Sequence, residues 1–302
     1  MKANFFIVGP PKCASSSLHY YVSQHPDIFM SEIKETHFFG TFYDREEIKS
    51  YEEAHFSDSE KFQVRGESTP TYSFLPYVPQ RIYDYNPDAK LVFIFRNPVD
   101  RAFSGWLMQN GTGVEKEDFP TAVDLNFKQS EQLDFHASDF ELKWKRDQYF
   151  RNNNNKLEIR TFLEAGLYAE QLKRFLAVFP KEQIHIILFD DIRKDLDGVI
   201  KGISTFLGTD DSFVLQDKEV RNPYNTRRFT SLYRTFGAER LAKWAKRMPS
   251  FVQPMLRSIS KKKGVAKPKA DEPTKARLRE YFKESNTELS KIIGRDLSHW
   301  NK

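Results

Sequence analysis

The chain has 302 residues, a formal net charge of +5, a sequence pI near 9.0 and a single cysteine. That length can bury a substantial core, and the lone cysteine excludes an intramolecular disulfide, which suits a reducing compartment. No apolar run is long enough to cross a bilayer, and the basic balance favours an anionic ligand.

The first element expected is a buried strand from about Phe5, where the sequence reads FFIVG. A strand that early leaves no room for a signal peptide, so a cytoplasmic protein is expected. Gly9-Pro10-Pro11, Lys12 and a run of small and hydroxyl residues follow. From Ser16, Leu18, Tyr21 and Val22 fall at helical spacing until His25-Pro26 ends the pattern. A strand that feeds a small-residue turn at a helix start gathers free backbone N–H groups and the positive end of the helix dipole. Lys12 and Ser15, Ser16 and Ser17 add side-chain donors, so the segment reads as a cradle for a phosphate or phosphosulfate.

Two other anion loops fit poorly. A nucleoside-triphosphate loop needs lysine directly before the hydroxyl residue and a second glycine, whereas Lys12 lies three residues before Ser15. The phosphatase arrangement of cysteine and arginine fails because His19 occupies the arginine position, and Cys13 is therefore read as a bystander in chemistry.

Further along, Ile28-Phe29, Phe62–Glu67, Leu91–Phe95 and Ile184–Phe189 read as extended segments, the last two as continuous apolar runs. Apolar strands alternating with helical patterns imply an α/β protein, a P-loop-like three-layer fold with a central parallel sheet flanked by helices. Tyr168, Leu172, Phe175, Leu176 and Phe179 form one helical stripe, and Asn152–Asn155 reads as a loop tip. Near the end, Asp271 is placed to cap a helix carrying Leu278, Tyr281, Phe282, Leu289, Ile292 and Ile293, stopped by Gly294. With no linker or internal repeat, a single domain over 1–302 is expected.

Charge is uneven. Lys261, Lys262, Lys263, Lys267 and Lys269 crowd a basic stretch within residues 257–272, read as flexible. Between Glu115 and Glu141 eight acids stand against two lysines.

Arg96 follows directly from the LVFIF strand, and the chain continues Asn97-Pro98-Val99-Asp100-Arg101-Ala102-Phe103-Ser104. Ligands of open parallel sheets bind beyond the carboxyl ends of the strands, so Arg96 is expected on the same edge as the Lys12 loop. Its planar fork suits a phosphate.

Together these segments resemble the sulfotransferases that use 3′-phosphoadenosine 5′-phosphosulfate (PAPS). That family's P-K-x-G-T-T/S-S-L loop is matched by Pro11-Lys12-Cys13-Ala14-Ser15-Ser16-Ser17-Leu18, and its arginine and serine eight residues apart by Arg96 and Ser104. Ala14 replaces the usual glycine, which matters if the position needs a positive φ. The likeness is greatest to the carbohydrate-type and bacterial branch, which includes heparan sulfate sulfotransferase domains. Lys34-Glu35-Thr36-His37-Phe38-Phe39 resembles its K-E-x-x-F-F element, and Gly66-Glu67-Ser68-Thr69-Pro70-Thr71-Tyr72 its G-E-x-[ST]-P-x-Y segment; Gly166–Pro180 and Gly294–Trp300 are also similar.

The resemblance implies a sulfotransferase with PAPS as donor, 3′,5′-bisphosphoadenosine (PAP) as product and no metal. It implies that Pro11–Ser17 hold the 5′-phosphosulfate, and that Arg96 and Ser104 hold the 3′-phosphate. Lys263 and Gly264 match a basic loop that covers the nucleotide. Glu35 becomes the general base, His37 its alternative, Lys12 the cation at the departing oxygen and Lys34 an aid at the sulfuryl oxygens. Ser68 stands where some relatives carry a second lysine. Residues of about 111–165 fall where the family varies for its acceptor. If their acids line the cleft, a small neutral or cationic product of secondary metabolism is expected as acceptor, with a carbohydrate or glycolipid as the alternative. A monomer or homodimer with no nucleic-acid partner is expected. A P-loop-type kinase and a non-catalytic nucleotide-binding module remain the readings from other classes.

Overall fold

The computed structural model describes residues 1–154, 157–220 and 268–302. These fall into two compact units: residues 1–101, 164–220 and 279–302 supply one, and 102–154, 157–163 and 268–278 the other. Because each is assembled from separated stretches, no linker marks the division in the sequence.

The first unit is built on a five-stranded parallel sheet. Its strands are β1 (Phe5–Gly9), β2 (Ile28–Met30), β3 (Val64–Ser68), β4 (Lys90–Phe95) and β5 (Ile184–Leu188), in the order β2-β3-β1-β4-β5. β1 is central, and all five of its residues are buried. Side chains alternate across a strand, and here that alternation sorts the core into two chemistries. Phe5 and Ile7 of β1, with Val92 and Ile94 of β4, face a mainly aliphatic cluster with Leu18, Val22, Ile200, Ile203 and Leu207. Those partners come from α1 (Ser15–Val22) and α9 (Leu196–Leu207), the ninth helix in chain order. On the opposite face Phe6 meets Phe39 and Tyr85 edge-on, Phe93 meets Phe175, and Phe95 lies against Tyr168. Tyr85 ends α3 (Val78–Tyr85), and Tyr168 and Phe175 belong to α7 (Tyr168–Leu176). The helices α2 (Ile48–Phe56) and α8 (Phe189–Lys194) complete this part of the unit.

The terminal helix, α10 (Glu272–Ile293), begins as its sequence implies, with the N–H of Thr274 donating to Asp271 Oδ1 at 2.8 Å. It is followed by Gly294 at φ 67°. Asp191 also serves as a cap: it accepts the Leu188 N–H at 2.9 Å and pairs with Arg295.

The second unit contains α5 (Phe119–Ser130) and α6 (Phe140–Asn154), with α4 (Pro98–Thr112) leading into it. The expected loop tip at Asn152–Asn155 is corrected, since α6 runs through Asn154. The extended segment after it is held by buried side chains. Asn126 Oδ1 accepts from the N–H groups of Phe162 and Leu163, and Asp147 Oδ1 from those of Glu158 and Ile159.

Several acids of the 115–141 run are already neutralised within this unit. Glu115, 1% exposed, makes a forked pair with Arg160 at 2.8 and 3.1 Å. Asp118 caps α5, Asp124 pairs with Arg277, Asp139 with Lys143 and Glu141 with Lys145. Five of the eight acids in the run are thus engaged inside this unit. Among the described residues no helix is long and apolar enough to cross a membrane.

Candidate active site

The site lies at the carboxyl ends of the strands, where four sequence-distant segments converge. After Gly9 the chain turns through Pro10 to Ala14 into α1. Lys12 and Ala14 both occupy the left-handed region, at φ 70° and 71°. Such a residue with a side chain is disfavoured by about 1–2 kcal/mol. Ala14 is the N-cap of α1 and offers no side-chain acceptor to the first turn, so the helix start presents its positive end toward an incoming anion. Gly9 is required for another reason: at φ 120°, a Cβ would stand 2.1 Å from the Pro70 carbonyl oxygen. The Thr69-Pro70 segment after β3 therefore packs directly on the start of the cradle.

Arg96 leaves β4 and reaches both neighbouring strand ends. Its Nη1 donates to the Lys12 carbonyl oxygen at 3.2 Å, and its guanidinium lies 4.7 Å from the ring centre of Phe189, just after β5. Arg96 Nε is buried without a hydrogen-bond partner. One fork thus anchors the loop while a buried donor remains for a further acceptor, the pattern expected of a phosphate site.

Cys13 is part of the loop in sequence, but its thiol is not. The side chain packs into the aliphatic core with its Sγ 3.8 Å from the Pro11 carbonyl oxygen, and burial pushes the thiol up to about 11. The buried thiol agrees with its reading as a bystander, and Cys13 offers a ligand only its backbone. Ser15 and Ser17 are buried, while Pro11, Ser16 and Ala14 are half-buried at the mouth of the loop.

The Lys34–His37 segment joins the same cluster. Glu35 N–H donates to the Ser68 carbonyl at 3.0 Å, at the end of β3. Its carboxylate pairs with Lys34 and stands 3.9 Å from His37 Nε2. Glu35 and His37 both have positive φ, 65° and 56°. Burial lowers the Lys12 ammonium below its usual range, opposed by Glu35 and reinforced by Arg96 and Lys34. Burial also lowers His37, with Glu35 opposing, so its imidazole is neutral and able to take a proton at pH 7. His19, one turn into α1, is pushed down to about 4, first by burial and then by Lys34.

Lys12, Arg96, Lys34, Glu35 and His37 are therefore brought together. Ser104 is half-buried on α4, in the second unit. Lys263 and Gly264, with Lys261, Lys262 and Lys267, lie outside the described residues.

Sequence reasoning missed three members of this neighbourhood. Glu67 stands in the sequence only as a motif residue, yet it is fully buried and its carboxyl is pushed by that burial up to about 7. The available signal was a glutamate in a segment that continues from a strand into the Gly66–Tyr72 motif. Arg101 is 2% exposed and interacts electrostatically with Tyr168 and Cys13. Thr36, between Glu35 and His37, bonds Glu67.

A parallel sheet with a capless helix start after its central strand, and an arginine after the neighbouring strand, defines an α/β protein with a basic cluster at its strand ends. The chain belongs to the sulfotransferase domain family, whose match covers residues 2–291. It is 25% identical over 291 residues to human heparan sulfate glucosamine 3-O-sulfotransferase 3B1, an alignment covering 96% of this chain and 63% of that protein. It is also 25% identical over 263 residues to the membrane-associated sulfotransferase kil1 of Dictyostelium discoideum, covering 68% of this chain and 55% of that one. The chain thus spans 55% and 63% of the length of these two relatives. The crystal structure of a sulfotransferase from Alicyclobacillus acidocaldarius matches with a TM-score of 0.70 at 27% identity, covering 100% of both chains.

Proposed function

We propose that this protein is a PAPS-dependent sulfotransferase that moves a sulfuryl group to a hydroxyl or amine of a saccharide. The observation that carries the reading is the contact of Arg96 with the Lys12 carbonyl, which puts both basic residues on one rim of the sheet. Two anionic groups of a single nucleotide can then be held at once. PAPS supplies an activated sulfuryl group on a phosphate leaving group.

Sulfuryl transfer follows the logic of phosphoryl transfer, in which positioning and charge stabilisation dominate. First-turn N–H groups of α1 and the Lys12 ammonium face the anionic end. Lys12 neutralises charge that develops on the departing oxygen, and its partial burial strengthens that interaction. Arg96 fixes the other phosphate with its remaining donors. Glu35 takes the acceptor proton, with Lys34 holding its carboxylate and His37 beside it as a second acceptor.

The choice of a saccharide rests on two supports. Relatives named for heparan sulfate glucosamine and carbohydrate substrates align with this chain. Glu115, Asp124, Asp139 and Glu141 are paired within the chain, which leaves fewer acids to favour a cationic acceptor. The reading is tested by incubating the protein with isotopically labelled PAPS and three acceptor sets: heparan-type oligosaccharides, neutral oligosaccharides and a small-metabolite extract. Mass spectrometry then seeks an added SO₃. A sulfated saccharide is expected; sulfation confined to the metabolite extract would return the acceptor to a natural product.

A further inference from the structure

Thr36 sits between two residues in the left-handed region and in the middle of the segment that carries Glu35 and His37. Such a conformation persists only when its surroundings over-determine it, and here the Thr36 hydroxyl adds a side-chain attachment to the backbone bond from Glu35 N–H to the Ser68 carbonyl. It donates to Glu67 Oε2, lies 3.4 Å from the Tyr72 hydroxyl and accepts the Phe38 N–H at 3.3 Å. The Tyr72 hydroxyl in turn accepts the Phe39 N–H at 3.1 Å. Glu67 and Tyr72 are both fully buried and belong to the β3 strand end and the turn after it.

A buried carboxyl is costly and is retained where its hydrogen bonds perform a task. Glu67 Oε2 accepts the Thr36 hydroxyl, and the buried Tyr72 and Tyr51 hydroxyls also bear on its carboxyl. We infer that Glu67 is a positioning residue which, through the Thr36 and Tyr72 hydroxyls, locks the Lys34–Phe39 segment in the one conformation that presents Glu35 to the acceptor. It touches no reacting atom. This inference rests on the sulfotransferase reading for its catalytic consequence, but the tie itself does not.

The test compares Thr36→Val, Thr36→Ser, Glu67→Leu and Glu67→Gln with wild type. Readouts are PAP release from PAPS in the saccharide acceptor sets, PAP affinity, thermal midpoint and hydrogen exchange of residues 34–39. Thr36→Val and Glu67→Leu should each lower turnover at least tenfold and speed exchange in 34–39, with PAP affinity within about twofold of wild type. Glu67→Leu should not lower the thermal midpoint, since an apolar side chain suits the buried site; a merely structural role would leave its turnover intact. Thr36→Ser and Glu67→Gln, which keep the hydroxyl and an acceptor for it, should retain most turnover. Wild-type turnover and exchange in Thr36→Val and Glu67→Leu would overturn the inference. If wild type neither binds PAP nor consumes PAPS, the sulfotransferase reading falls, and unchanged exchange in Thr36→Val would still sink the tie separately.

Discussion

The N–H of Glu35 donates to the carbonyl oxygen of Ser68 at 3.0 Å, so the proposed base is fixed to the end of β3 by its own backbone. Its carboxylate is left to pair with Lys34 and to stand 3.9 Å from His37. Backbone attachment predicts a clean separation between chemistry and folding at this residue.

Glu35→Gln should keep the fold and PAP affinity while lowering kcat by about 10²–10⁴, the usual worth of a positioned general base. Steady-state kinetics alongside PAP titration checks this. Wild-type turnover in that variant moves the role to His37, and His37→Gln is then the next substitution.

Ala14 occupies a left-handed N-cap at φ 71°. Ala14→Gly relieves an intrinsic penalty of about 1–2 kcal/mol, partly offset by the greater freedom of glycine in the unfolded chain. Net stabilisation of about 0.5–1 kcal/mol is expected in urea unfolding, with the cradle otherwise unaltered.

Glu67 carries a pH signature. Burial raises its carboxyl to about 7 in the folded state, above the unfolded value near 4.3. Between those values the folded protein holds the proton and the unfolded chain does not, so this group makes stability fall as pH rises from about 4 to 7. Glu67→Gln removes the group, and its stability relative to wild type should grow across that window by up to about 3 kcal/mol, then level off. Urea midpoints at pH 5 and pH 8 measure it. An equal difference at both values contradicts the assignment.

Arg160 is the partner of a nearly fully buried Glu115. Arg160→Ala leaves that carboxylate without a counter-charge, held only by the N–H groups of Lys116 and Glu117, and should cost about 3 kcal/mol of stability, the usual penalty for breaking a buried pair. Thermal or urea unfolding of the variant measures that loss.

The sheet was legible in the sequence because continuous apolar runs such as Leu91–Phe95 have few other places to go. The cradle was legible because a strand, small residues and a helix start follow one another without interruption. Boundaries shifted where polar residues share a strand: β3 runs Val64–Ser68, since parallel pairing with β1 recruits Gly66, Glu67 and Ser68 despite their weak strand preference. The function of Glu67 was not legible, because its meaning comes from Thr36, 31 residues away in sequence. The pairing of acids between Glu115 and Glu141 was hidden for the same reason. Arg160 and Arg277, which neutralise two of them, are distant along the chain.

The central claim is that Lys12 and Arg96 hold one nucleotide between them. Calorimetric titration of PAP into wild type, Lys12→Met and Arg96→Ala tests it most directly. Each variant removes a charge-assisted contact worth about 1.5–3 kcal/mol, so affinity should fall about 10–100-fold in both. Wild-type affinity in the two variants would contradict the account.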